Sequence, residues 1–129
     1  MSQIIQMYIV YVFQIILAVI LINVWLVRFS RPTKYRGSGA KNMTDEFSAY
    51  GLPVWFMYVV GATKILIAML LVAGFWFPFL VYPASLVLVI LMIGAIAMHI
   101  KVGDPYIRTM PAIIVFLMSV TNILLLKFL

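Results

Sequence analysis

Four apolar runs, over residues 4–27, 53–77, 79–100 and 110–128, decide what this chain of 129 residues can fold into. Each is long enough to cross a hydrocarbon core of roughly 30 Å, which takes about 20 helical residues. A backbone in lipid must satisfy its own hydrogen bonds, so only helices or a closed barrel can span it. None of the four runs shows the alternation of barrel strands. The expected fold is an all-α membrane protein: an antiparallel four-transmembrane-helix bundle, one domain over residues 1–129, with a short interfacial helix in the first loop.

Composition closes off the soluble alternatives. Hydrophobic residues make up 67% of the chain and charged ones 9%, with a mean hydropathy of +1.21. A soluble domain of this size leaves too much of its chain exposed to hide that much apolar surface. The first run has no basic residue ahead of it, exceeds the length of a signal-peptide core and lacks a small-residue cleavage pattern, so it reads as a retained helix. The chain has no cysteine, which excludes disulfides, thiolate metal sites and cysteine-relay redox chemistry.

Helix-stopping residues mark the boundaries. Arg28, Ser30, Arg31 and Pro32 end the first run, and Gly51 and Pro53 introduce the second. Residues 74–78 are so short a connection that helices two and three must form an antiparallel hairpin. Pro83 sits just inside the third run, so that helix begins near it or is kinked there. Gly103, Asp104 and Pro105 lie in the third loop, and Pro111 opens the last helix. Gly61 and Gly94 are places for close helix approach, within the bundle or between subunits.

The net charge of +6 comes from nine basic residues against three acids. Arg28, Arg31, Lys34, Arg36 and Lys41 fall in the first loop and Lys101 and Arg108 in the third, on one side of a four-pass bundle, while the other side holds only Lys127. By the positive-inside rule the basic side is cytoplasmic and both termini face outward. The expected setting is a bacterial cytoplasmic (inner) membrane. The cations suit anionic headgroups, at about 1 kcal/mol each, rather than nucleic acid.

Within the first loop, Ala40, Met43, Phe47 and Tyr50 recur at helical spacing, Thr44 is placed to cap, Asp45 and Glu46 suit the positive end of the dipole, and Gly51 terminates the segment. Its apolar stripe is expected in the headgroup layer. The alternative is that it tucks under the bundle and closes one end with its acids turned inward.

Lys64 is the most informative single residue. Counting from Pro53 at 1.5 Å per residue puts it about 16 Å into the membrane, near the midplane. An ammonium there costs about 2.5 to 3.5 kcal/mol even on a lenient scale, so it should face the bundle interior, a cavity or a partner. The same count places Gln14, Ser119, Thr121 and Asn122 near that depth, with Asn23 closer to the basic side. Lys64, Gln14, Asn23, Asn122 and Thr121 could thus bind a ligand's carbonyl, hydroxyl or acid group, or could hydrogen-bond one another for packing specificity. At the basic mouth, His99 can pair with Asp104 or be reached by Glu46, as a cap or a titratable cluster. No ligand-spaced cluster exists, so no metal is expected. Trp25, Trp55 and Trp76, with Tyr50, Tyr82 and Tyr106, fall near helix ends, where aromatic belts form.

Several ordered blocks carry a family likeness: Arg28 ending helix one, FSAYGLP over residues 47–53, Gly61 ahead of an ionisable Lys64, and AMHIKVGDPYIRTMPA starting at Ala97. Together they resemble the DoxX-like membrane proteins from the end of helix one through helix four. In that family helix two usually carries a glutamate where this chain has Lys64, and helix one ends in lysine where this has Arg28. The likeness implies that Lys64 draws a carboxylate from Asp45, Glu46 or Asp104, or is uncharged. It implies three kinds of role: a non-catalytic accessory or assembly subunit of a membrane complex, a quinone- or lipid-binding subunit of a membrane oxidoreductase with catalysis in a partner, or a small-solute transporter. A homo-oligomer or larger membrane complex is expected in each case. No nucleophile–base pair or nucleotide loop marks a self-contained enzyme.

Overall fold

The computed structural model describes residues 2–127, so the end of the fourth run at position 128 lies outside the described residues. Helix α1 (Gln3–Ile22) continues through a wider π-helical segment, Asn23–Val27. A loop with one 3₁₀ turn leads to the short α2 (Met43–Tyr50), followed by α3 (Val54–Ala73), α4 (Val81–Lys101) and α5 (Tyr106–Lys127). Four of these are long and apolar enough to cross a membrane. α1 packs on α3 and α5, and α4 packs on the same two, giving a ring in the order α1, α3, α4, α5.

Local chemistry sets each boundary. The α3–α4 hairpin is tight because Gly74 has no side chain: a Cβ there would meet Val81 at 2.4 Å. A 3₁₀ turn, Pro78–Leu80, runs directly into α4, so Pro83 falls in that helix's first turn, where its missing N–H has no intrahelical partner to lose. α4 closes at Gly103, whose φ of 70° is the left-handed conformation glycine adopts freely. The last helix departs from expectation: it begins at Tyr106, and Pro111 lies inside it rather than opening it. Pro105 starts the turn, its carbonyl accepting from the Arg108 N–H at 3.0 Å, and one proline early in the helix removes one hydrogen bond without ending it.

The outward faces, with Ile4, Tyr8, Val19, Val59, Met69, Ile90 and Ile100, are exposed as lipid-facing surfaces should be. Trp55, Trp76 and Tyr106 are also exposed near helix ends, as belts require. Trp25, at 6% exposure, and Tyr50 are buried inside instead. The interior holds two clusters. One joins Val10, Leu17, Leu21, Ile67, Leu71, Val81, Leu88 and Val115 across all four long helices, and the other joins Trp25, Met43, Phe47 and Met57. Lipid tails are as apolar as leucine, so what holds such cores is close packing rather than escape from water.

The second cluster settles the placement of α2. Met43, Phe47 and Tyr50, the stripe expected in the headgroup layer, are buried against the bundle and close its loop end. The cap also differs, because Asn42 rather than Thr44 accepts the Asp45 N–H, at 2.8 Å. Gly51 ends the helix in the left-handed conformation, at φ 78°.

Candidate functional site

Between the four long helices, under α2, lies a cavity of about 810 Å³ at the end that carries the first and third loops. Leu21, Val24, Val60, Leu91, Met98 and Val115 give it mostly apolar walls, into which Asn23, Lys64, Glu46 and His99 bring polar groups. Gly94 belongs to the same wall, and a Cβ there would meet nothing within 4 Å. Gly94 is therefore not a point of close helix approach within the bundle.

Gly61 is the opposite case. A Cβ on it would lie 2.6 Å from the Trp25 ring, so its bare backbone is what lets the indole pack against α3. The π-helical segment brings that ring inward: the Arg28 N–H reaches the Asn23 carbonyl five residues back, at 2.8 Å, widening the turn. Lys64 follows Gly61 by three residues and shares its face of α3. Its ammonium stands 5.1 Å from the centre of the Trp25 ring.

That contact does not balance the lysine by itself. A cation over an aromatic face is worth about 0.5 to 2 kcal/mol, against about 2.5 to 3.5 kcal/mol for an ammonium at this depth. Lys64 makes no hydrogen bond to any described residue. Each of the three candidate carboxylates is taken. Asp45 accepts from its own cap, Asn42, and Asp104 is bound by His99, Arg108 and Ser38. The oxygens of Glu46 are engaged by Arg36, Tyr50 and Gly37.

Those engagements build the end of the cavity that α2 closes. Arg36, only 4% exposed, donates to Glu46 Oε2 at 3.0 Å, to the carbonyls of Arg31 at 2.9 Å and Phe29 at 3.3 Å, and to that of Arg28. Glu46 Oε1 accepts from the Tyr50 hydroxyl at 2.7 Å and the Gly37 N–H at 3.1 Å. Burial, then the field of Glu46 and its hydrogen bond, push the Tyr50 hydroxyl's pKa well up, which keeps it a donor. Gly37 has to be glycine here, since a Cβ would fall 2.1 Å from the Tyr50 oxygen.

A second polar knot ties the third loop to the first. His99 Nδ1 lies 2.7 Å from Asp104 Oδ2, and Oδ1 accepts from Arg108 at 2.9 Å and from the Ser38 N–H at 2.8 Å. Burial pushes the Asp104 carboxyl up, but these hydrogen bonds outweigh it and hold the group below the usual carboxylate range. Lys101 donates to the Tyr50 carbonyl at 2.9 Å, and the Tyr50 ring meets the His99 ring edge-on with centroids 5.9 Å apart. His99, Asp104 and Glu46 are thus brought together, with Tyr50 as the link.

The polar residues assigned by counting to one midplane patch are divided. Lys64 and Asn23 line the cavity; Gln14, Thr121 and Asn122 do not. Gln14 donates to the Leu71 carbonyl at 2.8 Å, two turns beyond Lys64 toward the termini. Ser119 and Thr121 bond the carbonyls four residues back on their own helix. Asn122 is fully buried with neither amide atom hydrogen-bonded among the described residues. Counting failed there because α5 begins four residues early, which moves Asn122 about 6 Å toward the termini, and because depth says nothing of rotation about the helix axis. The residues that counting missed are Trp25, Arg36 and Tyr50. The Gly–x–x–Lys spacing of Gly61 and Lys64 held a signal for the first; for a buried arginine in a run of loop cations there was none.

Among the described residues no three His, Asp or Glu side chains gather to hold a metal ion. No curated protein and no solved structure matches the chain. A family model does, over residues 12–121, which reaches into all four long helices and takes in the loop that carries α2 and the whole wall of the cavity: the chain belongs to the DoxX-like family.

Proposed function

We propose that this protein is a non-catalytic accessory subunit of a larger membrane assembly, which holds an apolar, oxygen-headed molecule of the lipid or quinone class in the cavity under α2, with chemistry left to a partner. The observation that carries this reading is the cavity itself. Its volume of about 810 Å³ lies in the range of ligand sites, and mostly apolar walls with a few convergent polar groups are how such sites are made. Within the membrane-spanning part of the wall, Lys64 and Asn23 have donors not already used, the complement a carbonyl or acid oxygen needs. Arg36, Glu46, Tyr50, His99 and Asp104 are committed to one another, which supports a role in shaping the site rather than in acid–base work. With the basic loops cytoplasmic, the cavity lies toward that face, beneath α2, and the termini point outward.

The test is extraction in mild detergent followed by native mass spectrometry. An apolar molecule should stay with the wild-type protein and be lost from Gly94→Leu, which adds bulk to open space on the cavity wall, with helix content unchanged. Equal retention by both proteins would remove the cavity as the binding site. A cysteine at Lys34, the first in the chain, should be labelled from the cytoplasmic side; labelling from outside would reverse the orientation.

A further inference from the structure

The charges around the cavity do not balance, and their imbalance names a ligand class. Five cationic side chains line the wall, Arg28, Lys34, Arg36, Lys64 and Arg108, against a single carboxylate, Glu46. Glu46 is consumed by Arg36, Tyr50 and Gly37, and Arg108 is satisfied by Asp104. Arg28 is exposed at the rim, and Lys34, also exposed, stacks on Tyr35 with its ammonium 5.2 Å from the ring centre. Lys64 alone carries its charge into the membrane-spanning part of the wall, over the face of Trp25 and with no oxygen to receive its protons. A neutral ligand would leave that ammonium as it is; an anion would complete it.

We infer that Lys64, seated on Trp25, takes the carboxylate of a hydrophobic monocarboxylic acid of the fatty-acid class, whose chain lies along the apolar wall. This rests on the ligand-binding reading above and sharpens it. One charge calls for one charge, since Lys64 is the sole cation at its level of the wall. A phosphate head would bring more negative charge and more acceptor oxygens than this level can satisfy, and an unpaired oxygen among apolar side chains is unfavourable. A carboxylate has two oxygens. Lys64 offers a charged donor, and the Asn23 amide, which makes no hydrogen bond among the described residues, offers another on the same wall. Ammonium, carboxylate and indole then form a neutral unit inside low dielectric, where charge-assisted hydrogen bonds are at their strongest.

The experiment uses the full chain in lipid nanodiscs with Trp55→Phe and Trp76→Phe, both exposed positions, so that Trp25 is the only indole. Its fluorescence is followed while dodecanoate, dodecanol or a short-chain quinone is added. Dodecanoate should perturb Trp25 saturably at concentrations about tenfold or more below dodecanol, the difference one charge-assisted contact makes. Lys64→Met should abolish that preference while leaving dodecanol's effect in place, and Lys64→Arg should keep it. Equal response to acid and alcohol, a preference that survives in Lys64→Met, or tighter binding of the quinone would each overturn the carboxylate assignment and leave the cavity reading standing. Silence of Trp25 toward all three compounds, together with no effect of Gly94→Leu on the retained molecule, would overturn both.

Discussion

Toward the chain termini α1, α3 and α4 meet through Leu17, Leu71 and Leu88, all fully buried, beside the small residues Ala68 and Ala84. Toward the first and third loops the same helices stand around a cavity, and aromatic rings and hydrogen-bonded ion pairs hold its walls. The difference teaches where each kind of free energy is used. Close packing sets the bundle's stability at the terminal end. At the loop end, buried charges fix the positions of α2 and the third loop around a volume that packing would otherwise fill.

The strongest way to break this division is to remove one partner of the buried pair. Arg36→Met leaves Glu46 without its cation and frees the carbonyls of residues 28, 29 and 31. The expected loss is about 3 to 5 kcal/mol, read by unfolding in mild detergent, with hydrogen exchange rising first in α2. Arg36→Met combined with Glu46→Leu should recover most of it. If exchange rises equally at the terminal end, the two halves are one cooperative unit and the distinction fails.

Leu71→Ala tests the other half. Leu71 is fully buried in the aliphatic core, and leucine-to-alanine changes at such sites cost about 2 to 5 kcal/mol in water; the low end is expected here, because the transfer part of that cost vanishes in lipid. Ligand retention at the loop end should be unchanged, as measured by native mass spectrometry.

Acid sharpens the comparison, since all three acidic side chains, Asp45, Glu46 and Asp104, lie at the loop end. The Asp104 carboxyl is held below its usual range by Ser38, Arg108 and His99. A depressed folded-state pKa gives stabilisation that is present above about pH 4 and disappears as pH falls through the depressed value. Asp104→Asn should therefore be less stable than wild type at neutral pH, and the gap in melting temperature should narrow below pH 4. The groups facing Asp104 are His99, Arg108 and the Ser38 backbone, with Lys101 and Tyr50 alongside. A gap constant from pH 7 to pH 3 would mean that Asp104 acts through packing alone.

Much of this was legible in the sequence where a single physical constraint decided it. The hydrocarbon thickness determined four spans, and glycine and proline marked most of their ends. Lys64 stood out because a charge in an apolar run is expensive wherever it faces. Rotation and partner choice were not legible. The stripe of α2 fits lipid headgroups or the bundle equally well by periodicity, and Arg36 is chemically identical to its neighbours Arg28 and Arg31 until the fold buries it. The π-helical widening that turns Trp25 inward leaves no mark in an apolar run.

The smallest effect, and the only one of opposite sign, belongs to Asn122. Its amide is fully buried at the terminal end with neither its nitrogen nor its oxygen hydrogen-bonded among the described residues. Leaving such a group unsatisfied costs about 1 to 3 kcal/mol, whereas an apolar side chain of similar volume carries no such cost. Asn122→Val should accordingly be neutral or raise stability by up to about 1 kcal/mol, since the β-branched side chain gives back a little in helix propensity. Beside Leu71→Ala, a change in the same half of the molecule, it separates packing from polarity. A loss of 1 kcal/mol or more would mean that the Asn122 amide is satisfied in the membrane by a group of its own, and the terminal end would then hold a polar site of the kind reserved here for the loop end.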